Sequence, residues 1–310
     1  MGSMLFSPDE SLTDLLKHLE LEPLGSNPGN QSASGQAGDA ADEGVDLFRG
    51  QSQPAGNGRI FGGLVFAQAM RAAQATVEGR SSHSAHAYFL RPGNPDLPID
   101  YAVDRIRDGR SFTTRRVVAR QEDRAIFNLS MSFQIREEGP ARQVDAAIPP
   151  EPEGEEYEDG LIRAMQKRGV SLTKEQLGVG PVQILVEDGL DMNEGPGREP
   201  ELRAWFRSRG ELPDEPELHA AILAYTSDQT IVVAAQHPME WGIMDEGTQS
   251  ASLDHAIWFH DDFRVDEWIY AVHDSPVLKR SRALGRVLFY ARDGRLVASA
   301  VQEGLMRRHG

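Results

Sequence analysis

The sequence predicts an α+β protein made of two tandem copies of one unit, each a helix followed by an antiparallel strand meander that curves around it. Three observations carry this. Short identities recur at an offset of 168 to 170 residues: His86-Ala87 with His255-Ala256, Tyr101-Ala102-Val103 with Tyr270-Ala271-Val272, Arg110-Ser111 with Arg280-Ser281, Arg116-Val117 with Arg286-Val287, and Gln134 with Gln302. Chance matches do not keep a near-constant offset. Each copy opens on an Ala-rich segment of helical character, residues 61–77 and 215–235, and continues as strand-like runs. Asp108-Gly109 and Asp293-Gly294 sit between alternating apolar runs, and both residue types tolerate the positive φ of a tight hairpin.

Taken in order, Met1 to Ser3 read as a cloning remnant, with Met4 as the native start. Ser7-Pro8-Asp9-Glu10 forms a capping box, and Leu12, Leu15, Leu16 and Leu19 follow at helical spacing. Residues 25–44 are Gly, Ser, Asn, Ala and Asp with almost no large apolar side chain, so burial cannot offset their ordering entropy; a mobile insertion is expected. Strands follow at 83–90, 97–108, 112–121 and 124–136. Residues 137–160 carry prolines and Glu151, Glu153, Glu155, Glu156, Glu158 and Asp159, which predicts an extended linker. It divides an N-terminal domain, 4–136, from a C-terminal domain, 161–310. Strands at 181–187 and 202–207 open the second domain, and runs at 252–260, 267–274, 281–291 and 295–306 complete it.

Composition excludes several functions. Lys and Arg number 32 against 48 Asp and Glu, a formal charge of -16, which repels phosphate backbones and argues against a nucleic-acid partner. No cysteine is present, so there is no disulfide framework, thiolate zinc site or thiol nucleophile. No run approaches 18 apolar residues and no signal peptide is apparent, which predicts a cytoplasmic chain with no membrane partner. G-x-S-x-G, G-x-G-x-x-G, P-loop and H-E-x-x-H patterns are all missing. The close pairs His83/His86 and His255/His260 have no carboxylate to complete a metal geometry, so neither metal nor cofactor is expected.

The chemistry must use oxygen and nitrogen side chains. Residues 220–235 are largely apolar apart from Thr226, Ser227, Asp228, Gln229 and Thr230. That sets a carboxylate in the middle of the second central helix. Desolvation disfavours a buried carboxylate anion and so favours proton uptake, the property of a general base; the competing reading is that Ser227 or Asp228 caps a helix break. The first helix has no acid across residues 59–77, only Gln68 and Met70 at its centre. Ser252 begins the following strand, and Gln302 interrupts the apolar run 296–305, where an inward amide needs partners.

Phe61-Gly62-Gly63, HAYFLRPG from His86, RDGRSF from Arg107, Tyr225-Thr226-Ser227-Asp228, LDHAIWFH from Leu253 and ASAVQEG from Ala298 resemble the acyl-CoA thioesterase II (TesB-like) family, over about residues 46–136 and 180–308. The resemblance implies a double hotdog fold and hydrolysis of fatty acyl-CoA to fatty acid and CoA without a metal. It also implies a homo-oligomer and a catalytic set at Asp228, Ser252 and Gln302. Serine at 252 keeps the hydroxyl of the family's Ser/Thr position; the 25–44 segment departs from the shorter family pattern. A water deprotonated by Asp228 and held by Ser252 and Gln302 would attack the thioester, with helix N-terminal amides as oxyanion donors. Ser252 as a covalent nucleophile is the competing mechanism. Phe61, Leu64, Trp258 and Phe259 are candidate acyl-chain walls, and Lys279, Arg280 and Arg282 candidate phosphate ligands. Two rival functions remain: an enoyl-CoA hydratase using Asp214 and His219, which have the D-x4-H spacing of hotdog hydratases, and a non-catalytic acyl-CoA-binding protein. A bland role for Asp214 is to cap the helix ahead of Pro216.

Overall fold

The computed structural model describes residues 8–27, 44–53, 58–150, 152–190, 197–242 and 245–309. They form two compact units, His18–Gly139 and Met1–Lys17 with Pro140–Gly310. The chain begins with α1 (Pro8–Leu19), β1 (Glu22–Asn27), β2 (Val45–Gly50), α2 (Gly62–Gln74), β3 (Ser81–Phe89), β4 (Ile99–Asp108), β5 (Phe112–Gln121) and β6 (Arg124–Gln134). In the N-terminal unit the strands pair antiparallel in the order β1-β2-β4-β5-β6-β3. Alternation sends Ile99, Tyr101 and Val103 to one face, all at 0% exposure. That face packs on α2, whose Phe66, Ala67, Ala69 and Met70 are equally buried because the helix is apolar nearly all round.

The C-terminal unit continues with β7 (Glu155–Glu156), α3 (Tyr157–Gln166), α4 (Lys174–Leu177), β8 (Val182–Val186), β9 (Glu201–Ser208) and α5 (Pro216–Thr230). A 3₁₀ turn (Ala234–Gln236) leads to β10 (Thr248–Ser252), β11 (Asp254–Phe259), β12 (Ile269–Lys279), β13 (Arg282–Ala291) and β14 (Leu296–Arg308). Its order is β11-β14-β13-β12-β9-β8-β7, with β10 also on β14. Setting β8-β9-β12-β13-β14-β11 beside β1-β2-β4-β5-β6-β3 shows the same topology twice, each sheet with its own helix. The repeat in the sequence is a repeat in space.

Several sequence expectations need correction. Residues 25–27 belong to β1, and the rest of the insertion, 28–43, lies outside the described residues, as does Ser7 of the expected capping box. α1 as far as Lys17 groups with the C-terminal unit, where Leu12 Cδ2 lies 3.0 Å from the place a side chain on Gly210 would occupy. The segment 137–160 is not a plain spacer. Its end enters β7 and α3, and its middle straps the outer face of the C-terminal sheet. There Gln143 Nε2 donates to the Gly294 carbonyl at 2.7 Å and its Oε1 accepts from Leu296 N–H at 2.9 Å. Ala146 and Ile148 pack on the cluster of Trp205, Tyr270, Tyr290 and Leu185. The linker's apolar residues thereby cover aromatic surface that would otherwise face water.

Ladder register also revises the matching of the two copies. Val117 pairs with Leu129 and Val287 with Ala300, so the counterpart of Gln302 is Met131 and not Gln134. The cause is a longer turn: β5 and β6 are joined by Glu122-Asp123, whereas β13 and β14 are joined across Asp293-Gly294. Likewise His86 pairs with Ser130 and Ala256 with Val301, which aligns His86 with Ala256 and the buried His255 with the buried Ala85.

Candidate active site

α5 places Asp228 in its last turn, ending at Thr230 rather than running to 235. The helix reaches the sheet closely there. A Cβ on Gly285 would lie 2.3 Å from the Ile231 carbonyl oxygen, so only glycine on β13 lets the helix end settle at this level. Gly285 is the register partner of Gln302 on β14. Ser252 ends β10 opposite Gly304. Leu253 N–H then donates to the Glu303 carbonyl at 2.9 Å, and Asp254 Oδ1 accepts from Glu303 N–H at 2.7 Å, which turns the chain into β11.

These elements bring the three expected side chains together. Ser252 Oγ donates to Asp228 Oδ1 at 3.3 Å, and Gln302 Nε2 donates to the same oxygen at 2.5 Å. The Asp228 side chain is 3% exposed, and Gln302 is fully buried. Gln302 Oε1 is a buried acceptor with no hydrogen-bond partner among the described residues. Asp228 therefore does not cap a helix break; both side-chain donors reach it from the sheet. A fourth group, which sequence reading treated only as a repeat match and an unused imidazole, completes the cluster: His255 Nδ1 lies 3.6 Å from Asp228 Oδ1. Its one advance signal was a polar residue at a rung where the first copy has alanine. Nearby, burial pushes the Tyr225 phenol up, with the charges of Asp14 and Asp228 adding to the effect.

The remaining candidates are dispersed. Leu64 is a core residue of α2 at 1% exposure and Phe61 is the N-cap of that helix. On β11, Phe259 shares the face of His255 by strand alternation, whereas Trp258 lies on the opposite face. Lys279, Arg280 and Arg282 line a pocket of about 250 Å³ with Val277, Leu284 and Glu303. Leu284 and Glu303 are register partners one position from Gly285 and Gln302, so this pocket is on the other face of the sheet from Asp228. Arg282 Nε is held by Glu303 Oε1 at 2.7 Å.

The hydratase pair does not form. Asp214 is 96% exposed and accepts from Arg264 at 3.0 Å, while His219 is 1% exposed and its Nδ1 accepts from Val265 N–H at 3.1 Å. Nor does Asp214 cap α5: Glu215 is the N-cap, with Pro216 at the first helical position. Oxyanion donors from the start of α5 are also ruled out, since Asp228 is twelve residues along the helix, about 18 Å away. No group of three or more His, Asp or Glu residues among the described ones is arranged to hold a metal. None of the described helices is long and apolar enough to cross a membrane.

The chain is similar to known proteins over most of its length. The acyl-CoA thioesterase family model matches residues 183–305, and the model of the acyl-CoA thioesterase N-terminal domain matches residues 51–134. Acyl-CoA thioesterase 2 of Haemophilus influenzae is 34% identical over 263 residues, covering 84% of this chain and 92% of that protein. The crystal structure of an acyl-CoA thioesterase II from Mycobacterium marinum superposes with a TM-score of 0.71 at 32% identity, covering 96% of this chain and 99% of that one. A hot-dog-fold protein from Alicyclobacillus acidocaldarius, 16% identical with a TM-score of 0.70 and covering 96% and 99%, matches in fold. The architecture is the double hotdog, and the chain belongs to the acyl-CoA thioesterase family of thioester hydrolases.

Proposed function

We propose that this chain hydrolyses fatty acyl-CoA by direct attack of water, with Asp228 as the general base and Ser252 and Gln302 as the groups that orient base and water. One observation carries the reading: a nearly buried carboxylate accepts from both a hydroxyl and an amide on a single oxygen, while the same amide keeps an unpaired acceptor, Oε1. An anion with two fixed donors keeps its geometry without reorganisation. The free Oε1 can accept one hydrogen of a water whose other hydrogen goes to Asp228. The water oxygen bonds to the acyl carbon as its proton passes to the carboxylate; the C–S bond then breaks with its electron pair on sulfur, and the proton leaves with the thiol.

Ser252 as a covalent nucleophile is less well supported, because no imidazole hydrogen-bonds to its hydroxyl among the described residues. For the CoA phosphates, Lys279 and Arg280 are the better candidates of the basic hairpin, since Arg282 is engaged by Glu303. Thiol release from short to long acyl-CoAs tests the function. Asp228→Asn should lower kcat by about 10³-fold or more while the folded far-UV signal is kept; unchanged turnover refutes the role of Asp228. Hydroxylamine present during turnover should yield no hydroxamate, whereas its formation at the expense of free acid would establish an acyl-enzyme.

A further inference from the structure

The two ring nitrogens of His255 lie beside two consecutive residues of α5. Nε2 lies 3.0 Å from Ser227 Oγ and Nδ1 lies 3.6 Å from Asp228 Oδ1, with the ring fully buried. The Ser227 hydroxyl is itself 2.9 Å from the Ala224 carbonyl, to which it must donate. A hydroxyl has a single proton to give, so toward His255 it is the acceptor. In the neutral ring, Nε2 therefore carries the hydrogen and Nδ1 presents its lone pair on the side of Asp228.

The fold itself does not ask for an imidazole here. The matching rung of the N-terminal sheet is filled by Ala85, equally buried. A buried ring with polar atoms on both edges is costly unless both edges are used. Among the described residues the side chains that donate to Asp228 are those of Ser252 from β10 and Gln302 from β14. Nδ1 is thus an acceptor beside the carboxylate, 3.6 Å from the oxygen that takes both donors.

We infer that His255 is a positioning residue for Asp228, one that takes a hydrogen bond from the carboxyl group once it has removed a proton from water. The inference rests on the reading of Asp228 as the base. No charge or atom is added: water loses a proton to Asp228 as its oxygen bonds to the acyl carbon. The new carboxyl O–H then points to Nδ1, and the same proton leaves with the thiolate when the C–S bond breaks. Holding the protonated carboxyl in this way stabilises the state reached during reaction rather than the bound substrate, so the effect belongs in kcat.

The test uses the full chain with His255→Asn, His255→Gln and His255→Leu, alongside wild type and Asp228→Asn, in thiol release with kcat and KM measured separately. Asparagine sets a carboxamide oxygen where Nδ1 was, glutamine reaches Ser227 instead, and leucine does neither. His255→Asn should keep kcat within about tenfold of wild type. Glutamine and leucine should lose about 100-fold with KM unchanged. Adding His255→Leu to Asp228→Asn should cost nothing further, because the two groups act as one unit. Leucine retaining kcat within about threefold, or glutamine matching or exceeding asparagine, overturns the inference; the asparagine and glutamine comparison decides it alone should the leucine variant not fold. The failures are distinguishable: an inactive wild type or an active Asp228→Asn removes the base itself. An active wild type, an inactive Asp228→Asn and a fully active His255→Leu remove only the role of His255.

Discussion

Gly285→Ala is a single added methyl whose effect can be followed from packing to turnover. The new Cβ would stand 2.3 Å from the Ile231 carbonyl oxygen, 2.7 Å from Ile231 Cγ2 and 2.8 Å from the Ile231 carbonyl carbon. Non-bonded carbon atoms settle at about 3.5 Å, so the end of α5 has to rise from β13 by about 1 Å. Ile231 is three residues beyond Asp228, and Gly285 is the rung partner of Gln302. The Asp228 to Gln302 hydrogen bond, 2.5 Å in the native chain, then stretches past about 3.5 Å, which is no longer a hydrogen bond. Overpacking of this kind costs about 1–3 kcal/mol of stability, and a displacement of about 1 Å at a reacting group costs about 100-fold in rate. Urea unfolding reads the first and thiol-release kcat the second. Gly139→Ala, where an added methyl meets nothing within 4 Å, is the control and should be silent in both assays. A Gly285→Ala chain with kcat within threefold of wild type would refute the claim that contact between helix end and strand sets the catalytic geometry.

Two further outcomes concern stability. Burial holds the His273 imidazole down to about 4, against an ordinary value of 6.5, while Nε2 meets Thr230 Oγ1 at 2.9 Å and Nδ1 meets the Leu202 carbonyl at 3.0 Å. The unfolded ring takes a proton below about 6.5 and the folded ring does not until about 4, so stability present above pH 6.5 is lost as pH falls through that window, by about 3 kcal/mol. His219, also lowered by burial, acts in the same direction; urea-unfolding free energies that stay flat from pH 6.5 to 4.5 would contradict this. In the N-terminal unit, Gln68 Nε2 donates to the His18 and Gln51 carbonyls at 2.7 and 3.0 Å, and Tyr101 donates to its Oε1 at 2.6 Å. Gln68→Leu strands a buried phenol and two carbonyls and should cost about 2–4 kcal/mol in urea unfolding, a loss under 0.5 kcal/mol being the contrary result.

How much of this was legible depended on whether the signal was local. Asp-Gly turns, strand alternation and apolar helices report on their own neighbours, so the tandem α+β architecture could be read directly. Asp228 and Gln302 were legible as polar groups in largely apolar stretches, Ser252 only as the start of the strand after the helix, and the resemblance singled out the same three. His255 was not, because its identity with His86 gave a plausible repeat match at the wrong rung. Only the register, shifted by the longer β13–β14 turn, separates the two histidines. Turns without glycine carry no local signal for their positive φ, even where the flanking strands place them, as at Glu122-Asp123. Arg280 and Ser281 join β12 to β13 at φ of 54° and 59°, and Glu122 and Asp123 join β5 to β6 at 46° and 61°. The opposing strands hold these residues in a conformation that their own propensity disfavours.

The two copies show why one unit carries the acid. At three neighbouring buried positions along one matched rung the N-terminal sheet has Ala85, Met131 and Arg115, and the C-terminal sheet has His255, Gln302 and Gly285. The first set is closed to chemistry. Ala85 and Met131 offer no hydrogen-bonding group of consequence, and the buried Arg115 guanidinium is used up by Asp108 at 2.8 Å and by Thr76 Oγ1 at 2.8 Å. In the second set, the absence of a side chain at 285 admits the end of α5, and the amide and imidazole then have a carboxylate to meet. The carboxylate alone would be costly at this depth, and so would the amide or the ring. An aspartate introduced into α2 would therefore gain no amide or imidazole to match it, since the arginine is already engaged and its rung neighbours Ala85 and Met131 are apolar. The site depends on a change at all three of these positions together, which is why an acid in the last turn of α5 pointed to the whole arrangement.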